Sequence, residues 1–144
     1  MNLFGMLELA GTALTAERQR AEIVTSNMAN AQTTRTPEGG PFRRQLVIFR
    51  AERMRQYPFM LATLSNVATR GVRVDRVVAD PAEPVARYQP GHPDADSKGY
   101  VLYPAINPVE EMTDLLGAVR AYELNAASVQ AAKNMIQQSL DILR

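Results

Sequence analysis

Apolar residues recur at the start of the chain in alternating steps of four and three: Leu3, Leu7, Ala10, Leu14, Glu17, Ala21, Val24, Met28 and Ala31. That is the a/d spacing of a coiled-coil seam, with Glu17 as its only charged member. The end of the chain repeats the pattern through Met112, Leu115, Val119, Tyr122, Ala126, Val129, Lys133, Ile136, Leu140 and Leu143, broken only at Lys133. Each predicted helix is roughly 40–50 Å long at about 1.5 Å per residue. Phe4, Ile23, Leu116, Leu124 and Met135 lie off the seams and widen the apolar surface beyond what one partner helix covers.

The helix boundaries are written locally. Asn2 is placed to cap the first helix, which fades over residues 31–34. Thr36-Pro37-Glu38-Gly39-Gly40-Pro41 then stops it. The second helix has the stronger start signal: Asn107 as cap, Pro108 at the first helical position and Glu110 three residues after the cap. Glu110, Glu111 and Asp114 set negative charge at the positive end of its dipole, and Arg144 sits at the opposite end.

Between the helices the period changes. Leu46, Val47, Ile48 and Phe49 form a continuous run of strand formers inside residues 42–52, expected to be buried on both faces or at an assembly contact. Arg43, Arg44, Arg50, Arg53 and Arg55 surround it, either as gatekeepers against aggregation or as a basic contact for an acidic neighbour. Residues 56–69, broken by Pro58, give no clear pattern; a loop or a short helix over 60–68 fits equally. Val72, Val74 and Val78 alternate with Arg73 and Asp75, which predicts a half-buried strand over 71–80, with 85–89 as its returning strand. A proline-rich loop and a short strand over 99–103 follow. The fold class is therefore mainly α with a small β insertion. The long N- and C-terminal helices pack as an antiparallel coiled-coil hairpin, residues 1–34 and 108–144, around a central β-strand and loop domain, residues 35–107.

Composition narrows the function. Sixteen Lys and Arg against fifteen Asp and Glu leave almost no net charge, which argues against a nucleic-acid binder. With no cysteine there is neither a disulfide framework nor a thiolate metal site. No uncharged apolar run approaches the ~20 residues that span a bilayer. The first basic residue is Arg18, so the N-terminus does not read as a cleaved secretory leader.

Candidate chemistry is sparse. His92, Asp94 and Asp96 suggest a metal or acid–base site, but three groups crowded among prolines lack a supporting shell. The alternative is a hydrogen-bonded turn that locks the β unit onto the second helix. Gly39-Gly40 leads into a strand rather than a helix N-terminus, so it is no phosphate loop. No catalytic residues, cofactor or metal are expected. Asn27 and Asn30 share a helix face; they either close the helix end or bond a neighbouring subunit. Glu17 and Lys133 either pair with each other or mark where each seam meets another chain.

Several stretches together resemble the bacterial flagellar basal-body rod proteins, in particular the FlgC type of the proximal rod. They include Ser26-Asn27-Met28-Ala29-Asn30, which marks the wider rod and hook family. Gly39-Gly40-Pro41-Phe42, Pro90-Gly91-His92-Pro93-Asp94 and Asn107-Pro108-Val109-Glu110-Glu111-Met112 follow, and the last two point to this type. The resemblance covers most of the chain in order but not residues 53–70. It implies a structural protein that polymerises through its terminal helices into a hollow tubular shaft, with copies of itself and other rod proteins as partners. It also implies export through the flagellar type III apparatus without a cleavable signal, and a place in the periplasmic rod of the basal body. The residues expected to carry assembly are Leu7, Leu14, Glu17, Val24, Asn27, Met28, Asn30, Met112, Leu115, Val119, Tyr122, Val129, Lys133, Ile136 and Leu140. A soluble helical adaptor that binds one partner helix is the alternative.

Overall fold

The computed structural model describes residues 3–53 and 70–142. Over that range the chain runs α1 (Leu3–Ala29), β1 (Gln45–Arg53), β2 (Arg70–Ala79), β3 (Val85–Tyr88), β4 (Tyr100–Tyr103) and α2 (Pro108–Ile142). Two long helices and small antiparallel β ribbons make a helix-rich fold. The expectations for the Asn2 cap, for residues 56–69, and for Arg55, Leu143 and Arg144 fall outside the described residues, as do the side chains of Leu3, Phe4 and Arg53.

α1 ends where its own side chains close the last turn. The Asn30 backbone N–H and its Nδ2 both donate to the Ser26 carbonyl, at 3.1 and 2.9 Å, and Thr33 Oγ1 donates to Asn30 Oδ1 at 3.1 Å. The chain then reverses through Gly39 and Gly40, both at positive φ, with the Thr36 N–H donating to the Gly40 carbonyl at 2.9 Å. α2 starts as the sequence predicts. Asn107 Oδ1 accepts the Val109 N–H at 3.1 Å, and Asn107 Nδ2 donates to Glu110 Oε1 at 3.1 Å. The cap and its glutamate therefore meet side chain to side chain, a variant of the reciprocal box.

β1 pairs with β2, and β3 pairs with β4. The first ribbon is antiparallel: the Asp80 N–H meets the Arg44 carbonyl at 2.7 Å, Arg50 meets Asp75 at 3.1 Å and Arg73 meets Glu52 at 3.5 Å. The second has Val85 opposite Tyr103 and Tyr88 opposite Tyr100. Two expectations change here. β3 returns onto β4 rather than onto β2, because Pro81 and Pro84 remove donors that a tight β2–β3 hairpin would need. β1 is not buried on both faces: Leu46 and Val47 are half-buried, and Ile48 and Phe49 are exposed. Among the described residues β1 pairs with β2 alone.

The chain divides into two compact units. The first is drawn from Met1–Gln19, Phe49–Asp75 and Gly117–Arg144. Its buried side chains are small: Ala10 and Ala16 on α1, Ala118 and Ala132 on α2. Thr12 Oγ1 accepts the Val72 N–H at 3.3 Å and donates to the Leu9 carbonyl at 2.8 Å, which ties β2 to α1. The second unit, Arg20–Ile48 with Arg76–Leu116, buries Val24, Val101 and Tyr103 together with two polar side chains, Asn27 and Glu111. Its β3–β4 hairpin needs Gly99 at φ +79°, where an added Cβ would stand 2.9 Å from the Tyr88 ring.

Candidate functional site

Two features stand out physically, a buried polar cluster in the second unit and the apolar residues of α2 that stay exposed. The cluster begins with Asn27 in the last turns of α1. Its Nδ2 donates to the Gln45 carbonyl at 2.9 Å and its Oδ1 accepts the Gln45 N–H at 2.9 Å, so the amide pairs with the first residue of β1 as a neighbouring strand would. The same Nδ2 donates to Glu111 Oε2 at 3.0 Å. Glu111, in the first turn of α2, is 1% exposed. Its Oε1 accepts both Nε and Nη2 of Arg44 at 2.6 Å. Arg44 also stands 3.8 Å from Asp80 and 3.7 Å from Asp114, and Arg20 reaches Asp114 at 3.4 Å. A buried carboxylate is tolerable only with such a partner and filled lone pairs.

This placement revises several expectations. Asn27 uses both amide hydrogens and one lone pair of its carbonyl inside its own chain. Asn30 closes the helix end, as the local alternative held. Arg44 and Arg50 find acidic partners within the chain. Glu111 does more than cap α2, and its immediate neighbours in the sequence do not distinguish it from Glu110. The only hint was the heptad of small and polar residues it begins, Glu111, Ala118, Asn125 and Ala132.

The histidine loop is structural in a different way from that expected. His92 Nδ1 accepts the Asp94 N–H at 3.1 Å, and Asp94 accepts from Thr34 Oγ1 at 2.8 Å with Arg35 at 3.8 Å. The loop is thus fastened to the segment after α1, not to α2, because Thr34 brings the donor that the carboxylate needs. Tyr103 Oη donates to Gln89 Oε1 at 2.7 Å and steadies the other end of the loop. Among the described residues no group of three His, Cys, Asp or Glu is placed to hold a metal ion. An open groove of about 480 Å³ in the first unit is lined by Glu8, Gly11, Thr12, Thr15, Ala16 and Gln19 of α1 and residues 72–74 of β2. The Thr12 and Thr15 hydroxyls there donate to the Leu9 and Gly11 carbonyls of α1.

The predicted seams fare unequally. On α1, Ala10 and Val24 are buried and Leu7, Leu14, Glu17, Ala21 and Met28 are half-buried, so the seam faces inward. On α2 the buried line runs one residue earlier than predicted: Glu111, Ala118 and Ala132 are buried and Asn125 is half-buried, where Met112, Val119, Lys133 and Ala126 were expected. Leu115, Val129 and Ile136 are half-buried, while Met112, Val119, Tyr122, Lys133 and Leu140 are exposed. Val109, Leu116, Leu124, Met135 and Ile142 add to that outward surface, with Met112 at 57% and Leu116 at 54% exposure. Among the described residues α2 carries more exposed large apolar side chains than any other element.

The description "Flagella basal body rod protein" matches residues 7–35, and "Flagellar basal body rod FlgEFG protein C-terminal" matches residues 97–142. The chain is 42% identical to the flagellar basal-body rod protein FlgC of Borreliella burgdorferi, over all of this chain and 99% of that one. It is 34% identical to the FlgC proteins of Bacillus subtilis and Yersinia enterocolitica, over 99% of this chain and 99% and 98% of theirs.

Proposed function

The chain belongs to the FlgC family of flagellar basal-body rod proteins, and we propose that it assembles into the proximal rod through its terminal helices. It is a structural rod component and not an enzyme, in line with the names its relatives carry. In this reading residues 1–34 and 108–144 form the helical assembly domain, as an antiparallel coiled-coil hairpin, and residues 35–107 form a central β and loop domain. Its partners are copies of itself and other rod proteins, in head-to-tail contacts that build a hollow tube because their rotation does not close. The route is the flagellar type III export apparatus, and the destination is the periplasmic rod.

One observation carries the reading: α2 turns Met112, Leu116, Val119, Tyr122 and Leu140 away from its own chain. Covering each of those side chains fully on assembly contributes about 1.5–3 kcal/mol. The heptad spacing of Met112, Val119 and Leu140 suits a neighbouring helix better than a globular groove. Leu14, Glu17, Val129 and Ile136, which are half-buried, and the exposed Lys133 then serve assembly mainly by shaping the helix pair. The experiment is complementation of a strain lacking this gene with Val119→Asp. Motility and intact basal bodies in that strain would reject the reading; absence of the rod, with normal amounts of the chain in the cell, is the expected outcome.

A further inference from the structure

A strand at the edge of a sheet carries unpaired backbone donors and acceptors, which a folded chain either covers or offers to a neighbour. Two edge positions here are covered by side chains. The Asn27 amide takes both backbone groups of Gln45 on β1. On β4 the Asp96 carboxylate accepts the Tyr100 N–H at 2.8 Å, and the Asp96 N–H donates to the Tyr100 carbonyl at 2.8 Å. β3 has no such cover. The Gln89 N–H donates to the Gly99 carbonyl at 2.8 Å, and the register continues from there through Arg87 opposite Val101 and Val85 opposite Tyr103. Val85, Arg87 and Gln89 therefore turn their backbone groups toward β4, while Ala86 and Tyr88 turn theirs away. Among the described residues β3 pairs with β4 alone, and every residue of β3 is exposed.

We infer that the outer edge of β3 accepts an extended strand of another protein, apolar with an acidic residue at its centre. The side chains around the edge set that chemistry. Arg87 is exposed and lies 4.8 Å over the Tyr103 ring, and no carboxylate of the described residues pairs with it. On the opposite face Tyr88 meets Tyr100 edge to face at 5.4 Å, with Leu102 beside them, and all of them are exposed. An added strand sets one side chain next to Arg87 and the residues flanking it next to Ala86 and Tyr88. Opposite charges and apolar or aromatic pairs stabilise such cross-strand positions, so a carboxylate suits the first and apolar groups suit the others. Pro84 and Pro90 bracket β3 and keep the contact short. A second copy of β3 is the wrong occupant. Laid antiparallel so that Ala86 and Tyr88 of both copies are used, it places Arg87 opposite Arg87, and like charges there repel. Backbone pairing supplies the affinity and the alternate side chains the selectivity, as in other strand-addition contacts. The place of this neighbour in the rod rests on the functional reading above; the open edge does not.

Proline is the probe, because Ala86 donates nothing to β4 and an edge strand tolerates proline where the N–H faces outward. Ala86→Pro is produced in a strain lacking the gene, and the chain is quantified by mass spectrometry in cell extract and in purified basal bodies. The expected result is the parent amount in the cell and a fall of about ten-fold in basal bodies, from one lost hydrogen bond on a blocked edge. Ala86→Val keeps the donor and stays at the parent level in both. An Ala86→Pro chain that enters basal bodies as the parent does overturns the inference. Should that variant be degraded, Arg87 decides: Arg87→Glu falls by a similar factor and Arg87→Lys does not, whereas equal levels of the two reject the acidic partner. Rescue of the Arg87→Glu chain by parent chain made alongside it would identify a second copy as the occupant and overturn the assignment. A parent chain missing from basal bodies sinks the functional reading instead. The edge is then tested on the full-length chain with the synthetic peptides Thr-Val-Glu-Val-Thr and Thr-Val-Lys-Val-Thr. The first alone shifts the NMR amide signals of Ala86 and Tyr88; no shift, or the same shift from both, rejects the edge.

Discussion

α1 and α2 carry seams of the same spacing yet put them to different use. Among its described residues α1 exposes one large apolar side chain, Met6. α2 exposes Val109, Met112, Leu116, Val119, Tyr122, Leu124, Met135, Leu140 and Ile142. One helix has its greasy positions largely sheltered by its own chain, and the other presents them. The difference lies in what occupies the inward face. α1 offers Ala10, Ala16, Val24 and Asn27; α2 offers Ala118, Ala132 and a salt-bridged Glu111. Small residues let backbones approach closely, so a helix can bury an alanine face and still keep its bulky ridge free. A heptad pattern thus identifies a sticky helix without saying which side of it stays at home.

The sharpest way to break that contrast is to damage the polar cluster. Asn27→Asp removes two donors and sets a second carboxylate against Glu111, so it should lower stability by about 3–5 kcal/mol. The midpoint of urea unfolding measures it, and a change of less than a fifth of that size would mean the cluster does not hold the second unit together. Gly99→Ala tests the hairpin instead. With φ at +79° and the Tyr88 ring 2.9 Å from the new Cβ, the expected loss is about 1–3 kcal/mol, visible in the thermal midpoint. Asn107→Ala removes the side-chain acceptor for the Val109 N–H and should cost about 1 kcal/mol. Helicity at raised temperature reads it, and an unaltered melt would discard the cap.

The smallest effect on the free chain is the most telling for function. Leu116→Asp, on the presented face, should change the stability of the free chain by no more than about 0.7 kcal/mol, the size of a helix-propensity difference. It should nonetheless abolish incorporation into basal bodies, because a carboxylate in a covered apolar contact is strongly unfavourable. Leu14→Asp, on the half-buried seam of α1, should instead destabilise the free chain as well. Equal effects of both substitutions on free-chain stability would erase the distinction between a sheltered and a presenting helix.

The sequence by itself determined the elements. Heptad spacing placed α1 and α2, the Asn107-Pro108 pair fixed the start of α2 to the residue, and alternation found β2. These signals are local, since periodicity and capping depend on neighbours within a few positions. The sequence pattern returned β3 onto β2, and it set the buried line of α2 one residue too late. Tertiary structure decided both. Pairing β3 with β4 depends on a loop closed through Gly99 and Gln89, and burying Glu111 depends on Arg44 arriving from 67 residues away in the chain. A carboxylate reads as solvent-facing until its cation is in place, and only the folded chain supplies that partner.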